Sequence, residues 1–213
     1  DMIAENQLSY AINMEIGKTG KLRTVQGTVD VADVSDELSS DIISAAWDEI
    51  NDKFILVDSN KKVYTCDLQG KTQVGTLTGN LYPICASWED GLLIASGGKL
   101  QYYNGSTLVT LDSSPNSTSV YTRAGRVVVT TENEVHYSAV GDETNWSEDT
   151  GDYSSSVWVE AGYKDGGKFV GMASLSQDML IFKDNRRVYR LSGEFPEWSI
   201  VEEIGRASCR ERV

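Results

Sequence analysis

His136 is the residue on which most catalytic chemistry in this chain would depend, because it is the only histidine among 213 residues. A Ser/His/Asp or Cys/His arrangement would need it as the base that activates the nucleophile. No GxSxG nucleophile elbow accompanies it, and it lies in a predicted strand between Val135 and Tyr137. We therefore interpret His136 as a packed or surface strand residue and predict no catalytic residues and no enzyme activity.

Carboxylates are the other candidate groups. Pairs such as Glu89/Asp90 and Glu132/Glu134 fall in predicted turns, where two acids come within glycosidase distance by chance. The aspartates at 30, 33 and 36 and the acidic cluster at 148–152 offer oxygen ligands for calcium, but neither follows the EF-hand order. The sequence therefore predicts no metal and no cofactor, and calcium binding by these aspartates is the alternative.

Cysteines and paired glycines also fail to form a known site. Cys66, Cys85 and Cys209 contain no CxxC pair, so reduced, packed thiols are expected rather than a zinc site or a disulfide framework. Gly97-Gly98 and Gly166-Gly167 are interpreted as hairpin glycines. Because no predicted helix follows them, they do not indicate a phosphate cradle.

The composition predicts a globular, acidic protein. Hydrophobic residues make up 40% of the chain, and 19 Lys and Arg against 32 Asp and Glu give a net charge of −13. A surface with this charge repels phosphates, which argues against specific nucleic-acid binding. The sequence shows neither a signal peptide at its start nor an apolar run long enough to cross a bilayer, so no membrane association is expected.

A unit repeated about four times dominates the chain from residue 42 onward. In each copy a strand of small residues leads through a polar turn to an almost wholly apolar strand. A polar hairpin and a third strand with Val or Leu beside Tyr then follow. The copies occupy residues 43–77, 83–111, 117–146 and 169–198, and the third is followed by an insertion within 147–168.

These units predict an all-β fold, a partial β-propeller of about four antiparallel blades. A wholly apolar strand must be covered on both faces, which stacked blades achieve. Small residues on the first strand let the blades converge near the axis. Because four blades barely close a ring, we expect an arc of a larger propeller. The alternative is a β-sandwich or an open β-meander.

The remaining segments differ from the repeat. Residues 1–41 are expected to form an N-terminal strand near 22–29, a turn near 17–21 and an acidic linker, while residues 42–203 form the blade domain. The last ten residues, 204–213, carry three arginines and break the acidic pattern. This string, IGRASCRERV, resembles the translation of a common sequencing adapter, which implies a non-native tail and a natural sequence that is cut near Glu203; a natural basic tail is the alternative.

Two segments resemble tail proteins of bacteriophages. Val140-Gly-Asp-Glu-Thr-Asn-Trp-Ser147 is similar to their GD-x-x-NW turn, and the hairpin from Leu180 to Gly193 is similar to their apolar strand followed by VYRL. Residues 10–27 also look like the opening of such proteins, although Val-Gln-Gly replaces the usual RpG. The resembling group includes the tubular nozzle and stabilisation proteins of short-tailed phages, which are built on β-propellers.

The resemblance implies a non-enzymatic structural component of a phage tail, a nozzle or stabilisation protein that forms part of the genome-delivery conduit. Its expected partners are other tail, portal or adaptor proteins and further copies of itself in the virion, after synthesis in the host cytoplasm. The alternatives are a ligand- or receptor-binding propeller and a propeller glycoside hydrolase. No SxDxGxxW box supports the latter. Trp146 and Trp198 are expected to cap blades, with each indole N–H bonded to a turn carbonyl.

Overall fold

The structure, a computed structural model, describes residues 14–16, 22–24, 40–67, 70–147, 157–162, 164–175, 177–193 and 198–203. The chain separates into two compact units, Asp1–Asp33 and Val34–Val213. In the first unit, β1 (Met14–Ile16) and β2 (Leu22–Thr24) pair antiparallel. The predicted turn at 17–21, the rest of the predicted strand at 22–29 and the acidic linker lie outside the described residues.

The second unit contains four antiparallel sheets of four strands each, which we call blades 1 to 4. Blade 1 consists of β3 (Ile42–Asp48), β4 (Lys53–Asp58), β5 (Lys62–Asp67) and β6 (Gly70–Thr76). Blade 2 consists of β7 (Ile84–Trp88), β8 (Gly91–Ala95), β9 (Gln101–Tyr103) and β10 (Leu108–Thr110). Blade 3 consists of β11 (Ser119–Arg123), β12 (Arg126–Thr130), β13 (Glu134–Tyr137) and β14 (Val157–Glu160). Blade 4 consists of β15 (Phe169–Leu175), β16 (Asp178–Lys183), β17 (Val188–Ser192) and β18 (Ser199–Glu203).

Each blade is a simple meander in which the strands pair in sequence order. The first strands of neighbouring blades approach one another, since β11 lies against both β7 and β15. These first strands therefore line the inner side of the arc, as their small residues predict. The described residues contain no helix, and so none that could span a membrane.

The second strand of each blade carries the packing between blades. Successive side chains of a strand point to opposite faces. In β8, Leu92 and Ile94 point back toward blade 1, while Leu93 and Ala95 point forward toward blade 3. We call these the back and front positions of a blade. All four side chains are at most 2% exposed, because both faces of the strand are covered.

Three apolar clusters join consecutive blades. The first lies between blades 1 and 2 and includes Ile55, Val57 and Leu92. The second joins blades 2 and 3 through Leu93, Val127 and Val129. The third joins blades 3 and 4 through Val128, Tyr137, Met179 and Ile181. No cluster of described residues joins blade 1 to blade 4, so the blades form an open arc. The predicted partial propeller is confirmed, and the sandwich alternative is wrong because the sheets stack in series.

The segment interpreted as an insertion in the third repeat contains the fourth strand of that blade. Strand β14 pairs with β13, with Val159 opposite Val135 and Trp158 opposite His136. Gly166-Gly167 follows this strand in the connection to blade 4, so its assignment to a hairpin was wrong. The acidic cluster at 148–152 lies outside the described residues.

Buried polar groups fix the connections between and within blades. The position directly after the apolar run of the second strand is occupied by Asp58 in blade 1, Ser96 in blade 2 and Lys183 in blade 4, and all three are buried. Asp58 accepts hydrogen bonds from Lys62 N (2.8 Å) and the Tyr64 hydroxyl (3.2 Å). Ser96 Oγ accepts one from Gly79 N (3.1 Å), which holds the connection that enters blade 2.

Lys183 is paired with Asp165 of the connection that enters blade 4. Its Nζ lies 2.9 Å from Asp165 Oδ1, and the two side chains are 0% and 4% exposed. Tyr189 OH donates to Asp165 Oδ2 (2.8 Å) and Gly167 N donates to Oδ1 (3.0 Å). Burial by itself would raise the pKa of Asp165, but the hydrogen bonds from Lys183, Gly167 and Tyr189 outweigh it and hold that pKa well below its ordinary value.

We expect Leu93→Ala to lower the free energy of unfolding by about 2 to 5 kcal/mol, because it opens a cavity between blades 2 and 3. Val109→Ala is the control. Val109 is 45% exposed on β10, so its truncation is expected to change stability by no more than about 0.5 kcal/mol. Urea denaturation of both variants measures the difference. Similar losses in the two variants would contradict the assignment of Leu93 to the core between blades.

We expect Asp165→Asn to destabilise the fold by about 3 to 5 kcal/mol, because it leaves the Lys183 ammonium buried without a counter-charge. The control is Glu202→Gln in the Arg187–Glu202 pair, whose side chains are both 41% exposed, with an expected loss of about 0 to 1 kcal/mol.

The stability that Asp165 contributes depends on pH, because folding lowers the pKa of its carboxyl group. This contribution is present above the ordinary carboxyl pKa and is lost as the pH falls toward the folded value. Unfolding at a series of acidic pH values should show a shallower acid dependence for Asp165→Asn than for the parent.

Candidate functional site

A groove of about 860 Å³ lies at one end of blades 1 to 3. Its walls come from the loops that meet at this end: the β6–β7 and β10–β11 connections and the β8–β9 and β12–β13 turns. The lining consists of residues 78–81, residues 97–99, Pro115, Asn116, Thr118, Thr131, Glu132, Glu134 and His136. This groove is the candidate binding site of the described part of the chain.

Close backbone approaches hold these loops together. A Cβ atom on Gly79 would lie 2.0 Å from the carbonyl oxygen of Ser96, so only glycine fits where this connection crosses the β8–β9 turn. Gly97 N donates to Ser117 O (2.7 Å), and Ser117 N donates to Gly98 O (2.8 Å). The paired glycines thus join the β8–β9 turn to the next connection, in agreement with their interpretation as turn glycines.

His136 lines this groove, but its ring is already held on two sides. Its Nε2 is 2.8 Å from Glu134 Oε2, and the ring stacks on Trp158 with centroids 6.2 Å apart. Its side chain is 22% exposed. Within the described part of the chain, no serine, threonine or cysteine side chain is hydrogen-bonded to His136. The arrangement suits recognition of a polar group better than activation of a nucleophile.

The other charged groups of the groove are engaged in similar local contacts. Lys99 Nζ donates to the Ser114 carbonyl, and the Glu132 carboxylate accepts from Lys168 Nζ at 2.7 Å. Glu132 and Glu134 therefore share one groove, which the sequence did not predict, since they were interpreted as solvated turn residues. Glu132 lies beside the Lys168 ammonium, and Glu134 lies beside the His136 imidazole.

The remaining candidate residues do not assemble into a site. Cys66 and Cys85 are free thiols, as predicted, and burial raises the pKa of the Cys85 thiol to about 12. The Glu89/Asp90 pair forms the β7–β8 turn at the opposite end of blade 2. Nowhere in the described ranges do three His, Cys, Asp or Glu side chains come close enough to hold a metal ion. The aspartates at 30, 33 and 36 and Cys209 lie outside those ranges.

The turn that resembles phage tail proteins lies in the β13–β14 connection of blade 3 and contacts blade 2. Asp142 Oδ1 accepts from Thr144 N (2.9 Å) and from its hydroxyl (2.6 Å), and these hydrogen bonds lower the pKa of Asp142. Trp146 Nε1 donates to Glu143 O (2.7 Å), as the sequence predicts. Trp88 Nε1 of blade 2 donates to Glu143 Oε2 (3.1 Å). The turn thus holds two indoles, one from each blade, around one glutamate.

The second predicted capping residue, Trp198, packs against the cluster between blades 3 and 4. Its ring meets Tyr137 edge-on with centroids 4.1 Å apart. Arg123 of blade 3 lies over the same indole at 5.8 Å and donates to Gly193 O (3.2 Å) of blade 4. These contacts place Trp198 at the junction of the two blades.

Comparisons with known proteins identify the fold and nothing finer. No model of a protein family matches the sequence, and no curated protein matches it. Among solved structures, the chain is similar to PorZ, a surface component of the type-IX secretion system of Porphyromonas gingivalis (15% identity, TM-score 0.56), over 76% of this chain and 22% of PorZ. The described part of this chain is an arc of a β-propeller.

Two further structures resemble the arc. BamB from Moraxella catarrhalis, a β-propeller, matches 71% of this chain at 9% identity with a TM-score of 0.53. The N-terminal domain of Nup159 matches 76% at 14% identity with a TM-score of 0.53. The chain spans 46% of the BamB structure and 48% of the Nup159 structure, about half of each.

We expect Trp146→Ala to lower the free energy of unfolding by about 3 to 5 kcal/mol, because the indole packs against the cluster between blades 2 and 3. Trp146→Phe keeps most of this apolar contact and loses only the bond to Glu143 O, so its expected cost is about 1 kcal/mol. Urea denaturation separates the two. Equal losses would show that the hydrogen bond, rather than the ring, fixes the turn.

Proposed function

We propose that this chain is a non-enzymatic structural component of a bacteriophage tail, a nozzle or stabilisation protein that forms part of the genome-delivery conduit. The observation that carries the proposal is the form of the arc. Its four blades pack in series through three apolar clusters, and the two segments that resemble phage tail proteins both belong to this scaffold. Among the described residues of the groove, the His136 imidazole and the charged side chains of Lys99, Glu132 and Glu134 make local contacts.

The segments that resemble phage tail proteins support a structural role in this chain. The turn Val140–Ser147 joins blades 2 and 3 through Trp88, Glu143 and Trp146. The hairpin from Leu180 to Gly193 forms β16 and β17 of the terminal blade. Both segments therefore shape the arc, and neither contributes a side chain to the groove.

The net charge of −13 fits a conduit for DNA. An acidic wall repels phosphates, so a genome can pass without binding to specific sites. The partners proposed on this basis are portal or adaptor proteins, other tail proteins and further copies of the same chain within the virion. The proposal includes no specific nucleic-acid binding and no membrane contact.

A second candidate function is ligand or receptor binding in the groove. This alternative is favoured by the groove volume of about 860 Å³ and by the mixture of carboxylates, an amine and an imidazole in its walls. Such groups suit a polar ligand, for example an oligosaccharide, held by several hydrogen bonds. A glycoside hydrolase is the weaker form of this alternative, because Glu132 and Glu134 each lie beside a basic side chain.

The composition of purified phage particles tests the proposed function. We expect peptides of this chain in the tail fraction, and portal and terminase genes beside its gene. Secretion genes and carbohydrate-utilisation genes in that neighbourhood would contradict the proposal.

A glycan-binding screen tests the alternative, with His136→Ala and Glu134→Gln as groove variants and Val140→Asp as an exposed control outside the groove. Binding that only the groove variants abolish would favour the second candidate.

A further inference from the structure

The turn between β9 and β10 contains the only Asn-Gly pair in the sequence, Asn104-Gly105. An asparagine loses ammonia when the backbone nitrogen of the next residue attacks its side-chain carbonyl carbon. Glycine hinders this attack least, because it has no Cβ atom. The pair lies at the tip of a short hairpin, and Asn104 is exposed. Whether the reaction proceeds here therefore depends on the hydrogen bonds of the turn.

The attacking nitrogen is available at this turn, whereas it is engaged at five other asparagines. Gly105 N donates no hydrogen bond within the described part of the chain. Leu81 N, which follows Asn80, donates to Ser96 O at 2.8 Å and must give up this bond before it can attack. The nitrogen after the asparagine is engaged in this way at Asn60, Asn80, Asn116, Asn133 and Asn185. The fold thus protects these five sites and leaves Asn104 open to attack.

The side-chain oxygen of Asn104 accepts four hydrogen bonds from the two residues that follow Gly105. Thr107 N (2.9 Å) and Ser106 N (3.2 Å) donate to Asn104 Oδ1, and so do the hydroxyls of Thr107 (3.3 Å) and Ser106 (3.2 Å). The attack places negative charge on this oxygen, and donors that point at it stabilise that charge. Among the described residues, the departing nitrogen Nδ2 has no hydrogen-bond partner, so the turn does not hold the leaving group.

We propose that Asn104 is a site of spontaneous deamidation, which the β9–β10 turn promotes by leaving Gly105 N available and by stabilising negative charge on Asn104 Oδ1. The bond between Gly105 N and Asn104 Cγ forms, the Cγ–Nδ2 bond breaks, and water carries the proton of Gly105 N to the ammonia that leaves. A water molecule then opens the cyclic imide at either carbonyl, which gives aspartate or isoaspartate. This reaction is independent of the proposed role in a phage tail.

The isoaspartate product changes the hairpin that carries Leu108. Its backbone passes through the former side chain, so the turn gains one backbone atom. Strands β9 and β10 pair with Tyr103 opposite Leu108, and Leu108 packs against the cluster that joins blades 1 and 2. Since turn length sets the register of a hairpin, the added atom disturbs this pairing. Modification of an exposed turn therefore affects the packing between two blades.

Peptide mapping of the full chain during storage in mildly alkaline buffer tests this inference. Mass spectrometry measures the rate of conversion at each asparagine, and the same chain unfolded in urea gives the reference rate for each site. We expect folding to slow conversion at Asn80 and Asn116 by about tenfold or more, because their attacking nitrogens must first be released. Asn104 should convert at least as fast in the folded chain as in urea. A lower rate at Asn104 in the folded chain overturns the proposal.

Two threonine variants test the donors of the turn. Thr107→Val keeps the shape of the side chain and removes its hydroxyl, so we expect Asn104 in the folded chain to convert about two- to tenfold more slowly. Thr110→Val makes the same change on β10, where the hydroxyl lies near Gln101 instead, and should leave the rate unchanged. Circular dichroism checks that both variants fold. An equal or faster rate in Thr107→Val contradicts stabilisation by the donors and overturns the proposal.

Discussion

Every blade in this protein depends on the burial of both faces of its second strand. Strands such as Leu92–Ala95 and Val127–Thr130 present apolar or small side chains to both sides, and one sheet in water covers neither. Stacking neighbours is therefore the condition for folding, as in other repeat architectures. Small residues such as Ala86 and Ser87 on β7 follow from this condition, because the first strands must converge for the broad faces behind them to meet.

The same stacking decides where polar groups are placed. Chain that passes from one blade to the next crosses a buried edge, and its backbone groups need partners there. Ser96 supplies such a partner with a hydroxyl, whereas Lys183 supplies one with an ammonium that Asp165 neutralises. The two solutions differ in charge but serve the same purpose, since each fixes a connection against the end of the apolar strand.

The features that local sequence determines were predictable, and those that depend on distant contacts were not. Apolar runs such as Phe54–Val57 predicted the second strands, and the resemblance of Val140–Ser147 to a turn of phage tail proteins led to the expected indole hydrogen bond of Trp146. Strand β14 was missed because Val-Trp-Val-Glu is short and follows a long polar segment. The meeting of His136, Gly79 and Gly97 in one groove was also missed, because it joins three blades and no local pattern records that neighbourhood. The pairing of Lys183 with Asp165 was not predicted for the same reason, because the two residues lie in different elements.

Stacking stabilises blades 1 and 4 less than it stabilises the two blades between them. A blade in the middle gains free energy from two junctions, while blades 1 and 4 each gain it from one. The faces that no described blade covers carry three large apolar side chains that are about half exposed, Phe54, Trp47 and Val201. Another apolar surface that covers them would stabilise the blade that carries them. The stability of blades 1 and 4 therefore depends on what lies against these two faces, whether it belongs to the same chain or to another.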